Sequence, residues 1–198
     1  MKKLIGLFIF LSANCFAADI PDYITACADC HGENGISSDS DVPIIAGASD
    51  IFLSETMVAY KEARRLAIES KYRHGDTERP ATDMQKIAKD MTDEQIEEIA
   101  THFASLEFIP AKQEFDPVLA EKGAKIHDIR CKKCHEDGGS SVDDDSGILA
   151  GQWTPYLRAS IKHFRSGERA MQKKMKVKVD QLDDDAVEAL LHYYASQQ

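Results

Sequence analysis

Apolar positions along this chain recur with a helical spacing in five segments, and little of the sequence alternates as a strand does. The segments are Tyr23 to Cys30, Ile96 to Leu106, Val118 to Cys131, Thr154 to Phe164 and Ala186 to Ala195. Their starts carry their own signals. Thr92 and Gln95 form a capping box, the threonine as N-cap and the glutamine at N3. Asp183 is placed to cap the last helix. Thr154 reads as an N-cap followed by Pro155 at the first helical position, where the missing N–H costs nothing. The expected fold class is all-α.

The apolar run Leu4 to Leu11, behind Lys2 and Lys3, is too short to span a membrane as a helix. With Cys15-Phe16-Ala17 offering small residues at the two positions a signal peptidase reads, residues 1–17 are expected to be a cleaved signal peptide. Ser12-Ala13-Asn14 is a poor lead-in for lipidation at Cys15. No later segment is apolar enough to cross a membrane, so a soluble, exported, periplasmic protein is expected.

The remaining pattern repeats itself. His31 is followed sixteen residues later by Gly47 in Ile45-Ala46-Gly47, and His135 sixteen residues later by Gly151 in Leu149-Ala150-Gly151. Thirteen residues on come Tyr60 and Phe164. Each half then has a methionine seven residues ahead of an apolar residue that opens an acidic helix start: Met84 before Met91, and Met175 before Leu182. Tyr60 to Met84 is 24 residues but Phe164 to Met175 only 11, so the first half carries an insertion within Glu62 to Arg79. That charged insertion is expected as extra helix and loop on the surface, with a partner contact as the alternative. Pro110 and Pro117 punctuate an extended connection. The expected organisation is a first domain over 18–107, a linker over 108–117 and a second domain over 118–198.

Each half contains one Cys-x-x-Cys-His motif, Cys27 to His31 and Cys131 to His135. The motif is the attachment signal of c-type haem. Cys27, Cys30, Cys131 and Cys134 would add across haem vinyl groups, and His31 and His135 would reach iron. Half a zinc site is the rival explanation, but zinc needs two further ligands at a recognisable spacing. The other histidines, His74, His102, His127, His163 and His192, form no repeated pair. Removing the signal peptide leaves four cysteines, all in the motifs, with none for a structural disulfide. Two small domains have little apolar interior of their own, and two covalent haem c groups would supply much of it.

Met84 and Met175 are the expected sixth ligands, since thioether sulfur opposite histidine raises the reduction potential. Met171 is a rival to Met175, four residues earlier, and His74 or His163 are further axial alternatives. A proximal histidine needs its other nitrogen held. The carbonyl of Pro43, twelve residues after His31, is placed for this, and that of Gly147 could serve His135. Trp153 and Tyr156 could bond a haem propionate or simply pack as buried aromatics.

The formal charge is −10, and losing Lys2 and Lys3 takes it to −12. That disfavours nucleic acid as a partner. Asp143-Asp144-Asp145 lacks the glycine and glutamate spacing of a calcium loop and reads as a solvated loop.

The motifs, the proline twelve residues on, the distal methionines and the closing acidic helices resemble class I cytochromes c in tandem. A narrower resemblance is to the dihaem cytochrome subunit of flavocytochrome c sulfide dehydrogenase. It rests on Pro110 to Gln113, Gly123 to Asp128, Ile148 to Leu157 and Tyr194 to Gln198. It implies two cytochrome c domains, each wrapped around one covalent haem c. It also implies a separate FAD-bearing sulfide dehydrogenase subunit as electron donor, and a small soluble cytochrome or similar acceptor. The chain would then be the relay, not the catalytic subunit. A free-standing dihaem carrier to a terminal oxidase is the alternative. A haem peroxidase fits worst, because methionine caps leave no reachable iron.

Overall fold

The computed structural model describes residues 20–198, so the expected signal peptide over 1–17 lies outside the described residues. Helices dominate: α1 (Asp22–Thr25), α2 (Ala28–His31), α3 (Asp50–Lys61), α4 (Met84–Ala88), α5 (Asp93–Ala104), α6 (Pro117–Arg130), α7 (Thr154–Ser166), α8 (Lys173–Val179) and α9 (Asp184–Ala195). Among the described residues there is no strand, only isolated antiparallel bridges between Arg65 and Arg169 and between Ser70 and Thr82.

The helix starts follow local chemistry. The capping box of Thr92 and Gln95 forms on α5 with both of its hydrogen bonds. Asp183 accepts from Ala186 N at the start of α9. Asp116 accepts from Val118 N and Leu119 N, with Pro117 opening α6. Two expectations need correction. Thr154 is not a cap: it lies inside α7, and both its N–H and its hydroxyl donate to Gln113 Oε1, at 3.0 Å each. The segment Tyr23 to Cys30 is not one helix. Its backbone tightens at Cys27, whose N–H bonds Ile24 O, and it divides into α1 and α2.

Each half has its own core. Ile24, Leu53, Met57, Ile96, Ile99 and Phe103 pack between α3 and α5 in the first. Leu157, Val187, Leu190, Leu191 and Tyr194 pack α7 against α9 in the second. The repeat holds in backbone detail. Gly35 O accepts from Ile45 N and Ala46 N, and Gly139 O accepts from Leu149 N and Ala150 N. Gly47 N donates to Phe103 O and Gly151 N to Tyr194 O, both at 2.8 Å. Both glycines sit at φ +70°, and a Cβ there would lie 2.7 Å from Phe108 N and 2.6 Å from Pro110 Cβ respectively. Only glycine combines that conformation with the passage of the connecting strand-like segment overhead.

The two halves are joined by buried contacts. Ile148, from the second half, enters the first core. Ile44, Ala46 and Ala111 form a further cluster against Trp153. Gln152 is 3% exposed and bonds both backbone groups of Ile44, donating to its carbonyl at 2.9 Å and accepting its N–H at 3.0 Å. The insertion contains no helix, contrary to expectation. It first runs inward, where Arg65 is 7% exposed, and Leu66 N donates to Glu168 O at 2.8 Å. The chain then forms a loop closed at its base by the two hydrogen bonds between Ser70 and Thr82.

Candidate functional site

The first Cys-x-x-Cys-His motif is folded by α2, which carries His31 to a buried position, 8% exposed. His31 Nδ1 lies 2.8 Å from Pro43 O, the partner expected from the sequence. A carbonyl can only accept, so Nδ1 holds the proton and Nε2 keeps its lone pair free. Burial pushes the pKa of His31 down, against the opposing effect of the Pro43 bond, which favours the neutral ring that a metal needs. Burial likewise pushes the Cys27 thiol up to about 11.

The second motif differs in three ways. It follows the fourteen-residue α6 directly, with Cys131 as its C-cap and His135 N bonded to Cys131 O at 3.0 Å. Cys134 is exposed, whereas the other three motif cysteines are half-buried. Among the described residues the His135 ring forms no hydrogen bond to Gly147, correcting that expectation. Gly147 is drawn to the junction of the halves instead, where a Cβ would lie 2.6 Å from the Phe52 ring. Burial depresses His135, and the nearby Asp144 carboxylate acts against that. Asp144 is held in place by Glu136 N at 3.0 Å, so this part of the acidic run is an ordered turn.

Met84 opens α4, which is capped by Asp83 accepting from Lys86 N at 2.9 Å, and it packs half-buried on the first core. Met175 lies half-buried within α8. Its rival Met171 precedes α8 and does not share a helical face with it. The backbone N–H of His74 donates to Asp29 O, inside the first motif, at 3.0 Å, which brings the loop of the insertion onto that motif.

Sequence reasoning missed a charged cluster between the halves. Arg65 donates to Tyr156 Oη at 3.1 Å and lies over the Tyr60 ring, 4.7 Å from its centre. Arg169 lies over Phe164 at 4.3 Å. Arg65 and Arg169 are 104 residues apart, as are Tyr60 and Phe164 and the two motif histidines, so the signal was present in the spacing. Equivalent residues thus face each other across the junction through the antiparallel Arg65–Arg169 bridge. Burial alone would raise the Tyr156 phenol, but the two guanidiniums outweigh it and hold it down to about 7. No carboxylate lies within 4 Å of either guanidinium among the described residues. Buried cations are ordinarily paired, so this cluster is chemically suited to carboxylates from a bound group, such as haem propionates. Trp153 is not free for that role, because its indole N–H donates to Ser37 O at 2.9 Å.

The donor set fits haem rather than zinc. Among the described residues no three His, Cys, Asp or Glu side chains converge on a common metal position. Each half instead offers paired thiols, a histidine whose charged form burial disfavours, a methionine on a short helix and a small core. His127, which the sequence marked only as an unpaired histidine, has a structural role. It is 1% exposed on α6, four residues before Cys131, with Nδ1 3.1 Å from Tyr194 Oη of α9. It helps fix the helix that delivers the second motif.

Comparison with known proteins agrees with this construction. The family described as Cytochrome c matches residues 22–107, and that described as Cytochrome C oxidase, cbb3-type, subunit III matches residues 118–193. Cytochrome c4 of Pseudomonas aeruginosa is 26% identical over 72% of this chain and 68% of its own. A thiosulfate dehydrogenase electron acceptor of Stutzerimonas stutzeri is 28% identical over 86% of this chain and 78% of its own. The crystal structure of reduced cytochrome c4 from Pseudomonas stutzeri superposes with a TM-score of 0.70 at 24% identity, covering 88% of this chain and 95% of that one. These relatives are dihaem cytochromes and electron acceptors, and they do not single out the flavocytochrome subunit. Two class I cytochrome c domains in tandem, holding two covalent haem c groups, make this chain a dihaem c-type electron carrier.

Proposed function

We propose that this chain is exported to the periplasm and takes electrons from a dehydrogenase of an inorganic sulfur compound, passing them to a further carrier. The observation that carries this is the buried junction between the halves. Gln152 on Ile44, Ile148 in the first core and the Arg65–Arg169 bridge hold the two haem sites in a fixed relation. A two-step relay within one chain needs such a fixed relation, because transfer depends on a constant separation. Likeness to a thiosulfate dehydrogenase electron acceptor supports the sulfur-compound donor.

In this reading Cys27 and Cys30, and Cys131 and Cys134, hold the haems by thioether bonds. His31 with Met84, and His135 with Met175, are the axial pairs. The domains run over 18–107 and 118–198, joined by 108–117. Bound haem c supplies an iron that gains and loses one electron at a time. Pro43 fixes the His31 ring, and Arg65 and Arg169 receive carboxylates at the junction. Methionine caps keep substrates off the metal, which suits electron transfer and not peroxide chemistry.

The donor's identity has two versions. A flavoprotein sulfide dehydrogenase is favoured by the stretches Ile148 to Leu157 and Gly123 to Asp128 noted above. A thiosulfate dehydrogenase is favoured by the relative. The test is to purify the chain under mild conditions from its native periplasm and size it by gel filtration. Two haems per chain that are reduced by added sulfide, with flavin in the same peak, support the first. Reduction by thiosulfate without flavin supports the second. Reduction by neither, in a peak that retains an intact partner, removes the sulfur-donor proposal and leaves a general dihaem carrier.

A further inference from the structure

The two halves differ most between the junction arginine and the methionine that follows it. Arg169 to Met175 is 6 residues and Arg65 to Met84 is 19, so the first half has 13 more. The extra residues form a loop with three points of attachment. Its base is Ser70 and Thr82, which exchange both backbone hydrogen bonds, at 2.7 and 2.9 Å. Thr82 lies two residues before Met84, and Glu69 pairs with Lys86 of α4 at 3.6 Å. The base is thereby fastened to the helix that Met84 opens.

The tip of the loop rests on the first motif. Arg73 N and His74 N donate to Asp29 O at 2.8 and 3.0 Å, and Arg79 donates to the Asp29 carboxylate. Gly75, at φ +66°, passes so close that a Cβ would lie 2.7 Å from Asp29 Oδ1. Arg79 also ties the tip together. Its Nε donates to Asp76 O at 2.9 Å, and its guanidinium lies 3.6 Å from the centre of the Tyr72 ring. The third attachment is Arg73 to Asp41, at 2.7 Å. Asp41 lies two residues ahead of Pro43, whose carbonyl holds His31. Burial raises the Cys30 thiol while the Arg73 and Arg79 charges act against it, in keeping with guanidiniums beside the motif.

One loop therefore joins the segment that carries His31 to the segment that carries Met84. The second half has no such loop, and the counterpart of Asp29 there is Lys133, which would repel an arginine at the tip. Cys134 is exposed where Cys30 is half-buried. The tie matters because α4 has only five residues, well below the length of about 12 at which an isolated helix becomes even marginally stable. Its position depends on what it is fastened to. Exposed ion pairs hold little by themselves, but here two backbone bonds at the tip and two at the base act with them. We propose that residues 69–82 are a clamp that positions Met84 for the first haem iron, with Asp29 and Arg79 as its positioning residues. A sulfur held in this way returns to the metal before a competing ligand enters, so the first haem keeps its methionine, and the higher potential that goes with it. The proposal rests on the assignment of Met84 as an axial ligand.

The test uses the oxidised full holoprotein and cyanide. Cyanide takes the iron position only when the methionine sulfur leaves it, with the iron ferric throughout, so its binding rate reports how often the sulfur departs. Two phases are expected, the slower at the first haem, and Met84→Ala and Met175→Ala identify them. Replacing Lys71 to Ala81 by asparagine-glycine keeps Ser70 and Thr82 paired across a two-residue hairpin turn. That change should speed the first-haem phase by about 10-fold or more, the factor that loss of a single net hydrogen bond already approaches. The second-haem phase should stay as it is. Arg79→Ala should give a smaller acceleration and Arg79→Lys a smaller one still. Amide hydrogen exchange at Ile87 and Lys89 of the α4 turn should quicken, while exchange in α8 does not change. If the hairpin variant takes up fewer than two haems, the Arg79 pair carries the same test. A lowered urea midpoint with unchanged cyanide phases would make the segment a stabilising loop and overturn the clamp, as would unchanged exchange in α4. Met84→Ala with wild-type cyanide binding would sink the ligand assignment itself, a failure that the α4 exchange separates from failure of the clamp.

Discussion

A histidine that binds metal through Nε2 must have Nδ1 protonated and held, and the two halves solve this differently. His31 has Pro43 O at 2.8 Å, while His135 has the Asp144 and His127 side chains nearby and no carbonyl partner for its ring among the described residues. In the proposed ligand set the other atom at stake in each half is a methionine sulfur. Met84→Ala should lower the potential of the first haem and let cyanide bind there, while the second haem's spectrum stays as it is. A titration that finds potential and cyanide binding unchanged would remove Met84 as a ligand. Met175→Ala should do the same at the second haem, whereas Met171→Ala, outside α8, should leave it alone. The weak far-red absorption band of methionine–iron bonding distinguishes these variants without any partner protein.

At the scale of elements, the contact that most constrains the second domain is the crossing of α6 and α9. Gly123 lets the helices touch: a Cβ there would run into the Ala189 carbonyl and lie 2.7 Å from Tyr193 Cβ. Alanine in a helix interior ordinarily gains about 1 kcal/mol over glycine. Here that gain is set against overpacking, which costs about 1–3 kcal/mol, and the obstacle is backbone, which yields least. Gly123→Ala should therefore destabilise the holoprotein by about 1–2 kcal/mol, read as a lower urea midpoint with an unchanged slope. A raised midpoint would mean that the helices separate freely. Elements such as α5, α6 and α9 were legible in the sequence because caps and apolar spacing are local signals. The split between α1 and α2 and the uncapped start of α7 were not. The first turns on a single tightened backbone bond with no residue signature of its own, and the second on a distant group, since Gln113 claims the Thr154 hydroxyl. The insertion was legible as a length difference, yet its path was not, because a charged segment normally stays in water. Arg65 goes inward because Tyr60 and Tyr156 receive it.

The molecule as a whole depends on how the halves meet, and that junction rests on polar side chains whose partners lie far away in sequence. Gln152 and Ile44 are 108 residues apart. No periodicity announces such a pair, although the equal spacing of Arg65 and Arg169 did mark the junction's symmetry. Replacing Gln152 by leucine, of similar size, strands the N–H and C=O of Ile44 in a buried position. Each stranded group costs about 1–3 kcal/mol. Gln152→Leu should lower stability by about 2–4 kcal/mol, and unfolding followed at the two haems should separate into two transitions. One coincident transition at the original midpoint would show that the halves are held by other contacts. Gln152→Glu gives a sharper test through pH. Only the protonated acid can both donate to Ile44 O and accept from Ile44 N, so burial at this position raises the folded pKa of the new carboxyl above its unfolded value of about 4.3. A raised pKa contributes stability that is complete below the unfolded value and is lost as pH rises through the folded one. The glutamate variant should therefore approach the parent in acid and fall behind it towards neutrality, while the leucine variant keeps the same deficit relative to the parent throughout. Parallel pH profiles for the two variants would mean that the side chain at 152 has left the Ile44 backbone.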